Sequence, residues 1–425
     1  MIKKNYLLVL LLSCSGLLFA QSPNKLLHQK EAERILKVLS SDDMQGRKIH
    51  TPSIDRAGDF IASEFKKYNL QPFPDLEDYR QSFTVAKAIP VSAEGQINDS
   101  AVEQKNIIAF TSKAELIIDE KSGFHTIRSD SSENLMKEAR ELLKATRNYL
   151  VLVDSSRAAE FSKLGRLKRW DFKKNNSVVF LLTNRQPVTW RFRFRHEITE
   201  SVLSNITGMI RGRSKPDEFV IFSAHYDHLG TGKPNEAMDS VYNGANDDAA
   251  GTTAVMMLAS YFSKLKNNER SILFVAFTAE ESGGFGSSYF STQINPDKVM
   301  AMFNIEMIGT ESKWGANSAY ITGYDKSDFG KILQQNLAGT DFHFEPDPYP
   351  AQKLFYRSDN ATLASLGVPA HTISTSKMDE EKYYHTVEDE IETLNLKNMA
   401  AVIKAIALSS KTIISGTDTP SRIEP

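Results

Sequence analysis

Residues 219–225 read FVIFSAH, and residues 249–265, AAGTTAVMMLASYFSKL, follow after a polar segment. The first stretch is almost continuously apolar, as in a strand covered on both faces, and the second has the length of a buried helix. The alternation continues with SILFVAFTAE at 271–280 and VMAMFNIEM at 299–307. This order predicts an α/β fold with a mixed, mainly parallel sheet and helices on both faces.

Potential metal ligands follow three consecutive predicted strands. The first strand ends at His225, the third ends at Glu306, and the second ends at the adjacent pair Glu280 and Glu281. Ligands of open α/β sheets bind at the carboxyl ends of the strands. One polar residue after a strand is more often a cap or a solvated loop residue, but three such endings, with His385 downstream, predict one metal site.

The segment NGANDDAAG at 243–251 places Asp247 directly beside Asp248. Neighbouring carboxylates repel one another unless a cation compensates their charge. In a two-metal site about 3.5–4 Å across, one carboxylate can bridge both ions, and Gly244 leaves room for the close approach. Alternatively, one of the two aspartates caps the helix that begins at Ala249.

The N-terminus has the pattern of a secretory signal peptide. Lys3 and Lys4 precede an apolar run, and Ala20 stands at the predicted cleavage site, so residues 1–20 are predicted to be removed and the protein exported to the periplasm or the medium. Polar residues interrupt the run, which disfavours a membrane span. The stretch around Cys14, the only cysteine, resembles a bacterial lipobox, so lipid anchoring at Cys14 is an alternative.

Composition and the distribution of apolar and charged residues predict the domain organisation. The 425 residues carry a formal net charge of −2, which indicates an ordinary globular protein and gives no sign of a polyanionic partner. Between residues 81 and 200, short apolar runs separated by charged stretches predict an inserted, strand-rich subdomain. Residues 21–80 and 201–415 then form the main domain, and the tail at 416–425 is expected to be disordered.

Within the predicted insertion, WRFRFRH at 190–196 alternates aromatic and basic residues with the period of a strand. The aromatic side chains therefore share one face, and Arg191, Arg193 and Arg195 share the other. Such a face could bind nucleic acid or an acidic substrate, but a solvated sheet face is the favoured interpretation, and no nucleic-acid partner is predicted.

The sequence resembles the zinc aminopeptidases of the M28 type. The resemblance covers most of the chain outside the insertion, which resembles a degenerate protease-associated domain. It is carried, in order, by SDDMQGRK, FIASEFKKYNLQP, SAHYDHLG, NGANDDAAGTTA, FTAEESGGFGSSYF, FNIEMIG, RSDNATLASLGVPA and YYHTVEDE.

The resemblance implies two zinc ions per chain and assigns ligands to each ion. His225 and Glu306 would bind one ion, Glu281 and His385 would bind the other, and Asp247 would bridge them. A shell of imidazole and carboxylate ligands suits Zn²⁺ and leaves positions open for water and substrate.

Catalytic roles also follow from the resemblance. Glu280 would be the general base that takes a proton from the attacking water, and Asp227 would orient the imidazole of His225. Tyr356 is a candidate for stabilising the oxyanion, with a packed aromatic residue as the alternative. The peptide bond between Asp247 and Asp248 is expected to be cis.

Three departures from the family pattern concern the site. Glu306 stands where the family usually has Asp, so a longer side chain must reach the metal. Asn360 replaces the usual His in the RSDH motif, and DAAG at 248–251 replaces the common NASG. Neither of the last two changes removes a predicted ligand.

The predicted function is a zinc-dependent exopeptidase, specifically an aminopeptidase acting on peptides. One alternative is an enzyme similar to glutaminyl cyclases, which share the fold but use one zinc ion. Another is a binding protein that keeps the fold without catalysis, although no predicted ligand or base is missing.

Overall fold

A computed structural model describes residues 23–130, 132–167 and 170–424. The predicted signal peptide and the alternative lipid site at Cys14 lie outside the described residues. Within the described part of the chain, no helix combines the length and the apolarity that a membrane crossing requires.

The strands, in chain order, are β1 Arg80–Ile97, β2 Ser100–Ala101, β3 Ile107–Phe110, β4 Glu115–Asp119, β5 His125–Arg128, β6 Tyr149–Val153, β7 Asp171–Phe172, β8 Val178–Leu182, β9 Trp190–Ile210, β10 Lys215–His225, β11 Gly230–Thr231, β12 Val241–Tyr242, β13 Arg270–Phe277, β14 Val299–Ile305, β15 Ser318–Ile321, β16 His343–Pro346 and β17 Ala370–Ser374.

The helices are α1 Pro23–Leu26, α2 Gln29–Leu39, α3 Pro52–Lys67, α4 Leu135–Lys144, α5 Ala158–Phe161, α6 Ala250–Leu265, α7 Phe285–Gln293, α8 Phe329–Asn336, α9 Asn360–Ala364, α10 Leu396–Ser409 and α11 Lys411–Ile414.

The main sheet has the order β16-β15-β17-β14-β10-β13-β9-β1-β2. Its centre is parallel, because β10 pairs in parallel with both β13 and β14, and β14 pairs in parallel with β17. Antiparallel pairing begins at β9 on one side and at β15 on the other. The predicted α/β fold with a mixed, mainly parallel sheet is confirmed.

Helices cover both faces of this sheet. Along β10, Val220 and Phe222 belong to the core shared with α2, α3, α6 and α10. The residue between them, Ile221, faces the opposite core, where Phe290 of α7 and Leu363 of α9 pack. Because side chains alternate along a strand, each central strand must be apolar at successive positions, as the sequence is.

The predicted insertion is joined to the main sheet by a long ribbon. Strands β1 and β9 pair antiparallel from Arg80–Ile206 to Ile97–Trp190, so positions 81 and 200 lie inside strands. Between them, β3, β8, β6 and β5 form a separate four-stranded sheet. The division of the chain into domains stays a prediction.

The aromatic and basic alternation at 190–196 has the predicted geometry. Phe192 and Phe194 are fully buried, whereas Arg191, Arg193 and Arg195, which alternate with them, are exposed. Arg193 pairs with Glu115 of the neighbouring strand β4. The basic face is thus a solvated sheet face with a cross-strand ion pair.

The C-terminal tail differs from the expectation of disorder. Ile423 is buried, and the guanidinium of Arg422 donates to the main-chain oxygen of Val299 over 2.9 Å. Arg270, at the start of β13, donates to the main-chain oxygen of Asp418. These contacts hold a polar segment that has no helical or strand periodicity of its own.

Candidate metal centre

The strand ends converge as the sequence predicts. His225 is the last residue of β10, Glu306 directly follows β14, and Glu280 and Glu281 follow β13. Since β10 lies between β13 and β14 in parallel register, the residues after all three strands meet at one edge of the sheet.

One group of potential ligands surrounds the ring of His225. Its Nε2 lies 3.2 Å from Oδ1 of Asp247 and 3.3 Å from Oε1 of Glu306. The three ligand atoms are close enough together to hold one metal ion. His225 and Asp247 are buried, which shields such an ion from bulk water.

A second group uses the other oxygen of the same aspartate. Nε2 of His385 lies 3.2 Å from Oδ2 of Asp247 and 3.2 Å from Oε2 of Glu281. Asp247 therefore offers one carboxylate oxygen to each group, which is the arrangement of a carboxylate that bridges two ions.

The residues present fit zinc. The Nε2 atom of His385 has no hydrogen-bond partner among the described residues, although two carboxylate oxygens lie near it. A ring nitrogen that faces two carboxylate oxygens is a suitable place for a shared cation, and imidazole with carboxylate is a donor set that Zn²⁺ accepts. Burial opposes the charged form of Asp247, yet the neighbouring imidazoles of His225, His385 and His228 hold its pKa well below the usual value.

The main chain around Asp247 is held by acidic side chains. Asp389 accepts hydrogen bonds from the N–H groups of Asn246 and Asp247, at 2.8 and 3.0 Å. The peptide bond between Asp247 and Asp248 is cis, as expected. Asp248 accepts from the N–H of Gly251 at 2.9 Å, so the helix-capping alternative describes Asp248.

Asp227 contacts His225 and Glu280 through different atoms. Its main-chain oxygen lies 3.1 Å from Nδ1 of His225, whereas its carboxylate Oδ1 is 3.8 Å from that nitrogen. The carboxylate accepts instead from the N–H of Glu280 at 3.0 Å. The main-chain oxygen of Asp227 thus orients the imidazole of His225. The side chain of Asp227 instead positions Glu280, the residue predicted to be the base.

Glu280 lies in a chemically unusual environment. Burial raises its pKa well above the usual value, and the neighbouring carboxylates of Asp359, Glu306 and Glu281 add to this effect against the opposing charge of His225. A raised pKa favours the uptake of a proton by this carboxyl group, which a general base requires.

Arg47 supports the site from a distant part of the chain. Its buried guanidinium donates to the main-chain oxygens of Tyr226, Asn243 and Gly244, and also to Leu39. These bonds connect the N-terminal SDDMQGRK segment to the loops that carry the ligands. Sequence reasoning assigned Arg47 no function, although it lies in a motif that carries the family resemblance.

An open cleft lies over the two groups. Its polar floor is formed by the ligands and Glu280, and its walls include Tyr320, Met378, Arg357 and Tyr384. The ring of Tyr384 stacks on His385 with 3.8 Å between the ring centroids.

The structure does not place Tyr356 in this cleft. Its side chain is about half exposed, lies beside the ring of Phe355 and under the ammonium group of Lys326, and is not among the described residues that line the cleft. Tyr356 is the last residue of a 3₁₀ turn, Leu354–Tyr356, of which Leu354 lines the cleft. Tyr320 and Tyr384 line the cleft, and Tyr384 directly precedes His385.

The comparisons with known proteins agree with this geometry. Residues 205–409 match the model of Peptidase family M28. Aminopeptidase YwaD of Bacillus subtilis (strain 168) is 24% identical over 255 residues, which cover 54% of this chain and 50% of YwaD. The chain spans half or less of the length of the curated relatives that head this comparison.

Two solved structures show the same fold. An aminopeptidase from Aneurinibacillus sp. strain AM-1 superposes with a TM-score of 0.54 at 16% identity, covering 94% of this chain and 97% of that one. A glutaminyl cyclase from Porphyromonas gingivalis superposes with a TM-score of 0.50 at 13% identity, covering 92% and 99%. Residues 205–409, the part of the chain that matches the model of Peptidase family M28, carry both ligand groups.

Proposed function

We propose that the chain is a dinuclear zinc aminopeptidase that removes N-terminal residues from peptides. One observation carries the proposal: the two oxygens of Asp247 face two separate sets of ligands, His225 with Glu306 and His385 with Glu281. A relative named as an aminopeptidase supports the choice of reaction.

The residues divide the reaction between them. When bound, zinc ions polarise the carbonyl group of the substrate and lower the pKa of water. Glu280, which lines the cleft, takes the proton of the attacking water on its carboxylate and returns it to the departing amine. The carboxylate of Asp227 keeps Glu280 in place by accepting a hydrogen bond from the main-chain N–H of Glu280. Tyr384 offers a hydroxyl group to the carbonyl oxygen as negative charge develops there.

A glutaminyl cyclase reaction is the alternative on this fold. It needs one zinc ion, so it leaves the second set of ligands without a purpose. The second set of ligands is complete, because Nε2 of His385 lies 3.2 Å from Oε2 of Glu281. This complete set favours two ions. A non-catalytic binding protein is disfavoured because the proposed base, Glu280, is present and lies in the cleft.

We also propose that the protein is exported. The signal-peptide pattern at residues 1–20 supports cleavage after Ala20, with release to the periplasm or the medium. Lipid attachment at Cys14 is the second possibility. Sequencing the N-terminus of the protein isolated from its cells distinguishes them, because cleavage after Ala20 leaves Gln21 first, whereas lipid attachment leaves a blocked Cys14.

The proposed function is tested by hydrolysis of leucine amide and alanine amide, with and without a chelator, together with zinc counts per chain. We expect hydrolysis that stops with chelator and returns with zinc, at two ions per chain. One ion per chain, with cyclisation of N-terminal glutamine and no amide hydrolysis, would support the cyclase. Two ions with neither reaction would leave a binding protein.

A further inference from the structure

His228 is a histidine of the metal centre that has no part in the ligand sets above. It lies in SAHYDHLG, three residues after His225, and its side chain is buried. Its Nδ1 lies 2.8 Å from Oε1 of Glu281. A carboxylate that serves as a metal ligand is ionised and can only accept a hydrogen bond, so the proton of this bond lies on Nδ1 of His228.

The two oxygens of Glu281 have different neighbours. Oε1 accepts the hydrogen bond from His228, whereas Oε2 lies near Nε2 of His385 without a hydrogen bond between them. Nδ1 of His228 is also 4.0 Å from the nearer oxygen of Asp247. By their spacing, His228, Asp247 and Glu281 could also hold an ion. Nδ1 of His228, however, already donates to Oε1 of Glu281, whereas Nε2 of His385 faces one oxygen each of Asp247 and Glu281, so the geometry favours His385 as the ligand and His228 as the donor.

The ring of His228 is held on three sides. Its main-chain N–H donates to the oxygen of Arg47 at 3.2 Å. Its ring packs directly on Gly244, where an added Cβ atom would come within 2.5 Å of Cδ2. It also meets the ring of His385 edge to face, with 5.8 Å between the centroids. A donor fixed in this way restricts the carboxylate that it contacts.

We propose that His228 is a positioning residue that sets how Glu281 binds the metal. By occupying Oε1, it leaves Oε2 as the single oxygen directed toward the position shared with His385 and Asp247. Hydrogen bonds to ligands of this kind typically change metal affinity by about 10–100-fold. The inference rests on the proposed two-metal site, and the unaltered protein tests that site first.

The experiment compares three substitutions by titrating the metal-free full-length protein with Zn²⁺ against a chromophoric chelator. The amide nitrogen of His228→Asn takes the place of Nδ1 and keeps the donor. The amide nitrogen of His228→Gln takes the place of Nε2, so this variant has no donor at the position of Nδ1. His228→Ala removes both. We expect Asn to retain the affinity of the site of Glu281 and His385 within about threefold, and Gln and Ala to lower it about 10–100-fold. The other site should change little.

Each remaining outcome overturns the proposal. If Asn weakens zinc binding as much as Ala, His228 acts as a ligand or through packing. If Gln rescues and Asn does not, Nε2 is the important atom. If none of the three changes the affinity, the hydrogen bond is irrelevant to metal binding. If the unaltered protein binds a single ion, the two-metal function fails before the variants are compared. Should the alanine variant not fold, the Asn and Gln pair still decides.

Discussion

The hydroxyl group of Ser358 donates a 2.7 Å hydrogen bond to Oε2 of Glu306. The amide of Asn304 donates in turn to Oγ of Ser358 over 2.7 Å, so the hydroxyl proton is directed at the carboxylate. The other oxygen, Oε1, then faces His225. This chain of contacts explains how a glutamate can serve where the family usually has the shorter aspartate.

Replacing Ser358 by Ala should weaken zinc binding at the site of His225 and Glu306 by about 10–100-fold, because the longer side chain loses its anchor. Zinc titration of the metal-free protein measures the effect. Ser365→Ala is the matched control, since Ser365 is exposed and bonds only the main chain of its own turn. Equal affinities for the two variants would contradict the role of Ser358.

Glu280 and Glu281 are adjacent but should respond differently to the same substitution. Glu280→Gln keeps the shape but cannot accept a proton, so amide hydrolysis should fall about 10²–10⁴-fold with both zinc ions retained. Glu281→Gln should lower zinc affinity itself. Metal analysis beside activity measurements separates the two. Loss of zinc from the first variant and retention in the second would exchange the roles.

Tyr384→Phe should lower kcat by about 10²-fold with little change in KM, because the hydroxyl group is proposed to act only as charge develops on the carbonyl oxygen. Tyr356→Phe is the control and should leave both constants unchanged, since Tyr356 lies outside the cleft. The opposite pattern would restore the sequence-based choice of Tyr356.

Arg47→Met should lower the free energy of unfolding by about 3 kcal/mol or more, because buried main-chain oxygens lose a charged donor. Lysine should rescue little, since it lacks the planar fork of donors. Urea unfolding curves measure the effect. The control is Arg56→Met, which removes an exposed arginine with one main-chain bond and should change stability by no more than about 0.5 kcal/mol.

His371 should make stability depend on pH. Burial lowers its pKa from 6.5 to about 4, and its ring is held between Oγ of Ser327 and the main-chain oxygen of Thr322. Above pH 6.5 the imidazole is neutral in both states. As the pH falls from 6.5 to 4, the unfolded chain takes up a proton that the folded protein does not, so folding loses up to about 3 kcal/mol, and the loss levels off below pH 4.

The measurement is the unfolding free energy of the protein and of His371→Asn between pH 7 and 4. Asparagine does not titrate and can keep the bond to Thr322, so the variant should pay a constant packing cost and show a flatter profile. A difference between the two proteins that stays constant across this range would show that His371 is not the titrating group.

The sequence by itself determined the α/β fold and the meeting of His225, Glu281 and Glu306 at one edge of its sheet. Continuous apolar runs report strands covered on both faces, and in a parallel sheet the residues after neighbouring strands must meet at one edge. His225, Glu281 and Glu306 could therefore be predicted from burial patterns that depend on nearby residues in the chain.

Only the tertiary structure decided which side chains support these ligands. Arg47 bonds the main chain of Asn243 and Gly244, nearly two hundred residues away, and Ser358 reaches Glu306 from another loop. Whether Tyr356 or Tyr384 lines the cleft depends on where a turn points a side chain. No local pattern encodes such contacts, because they arise from the packing of segments that are distant in the sequence.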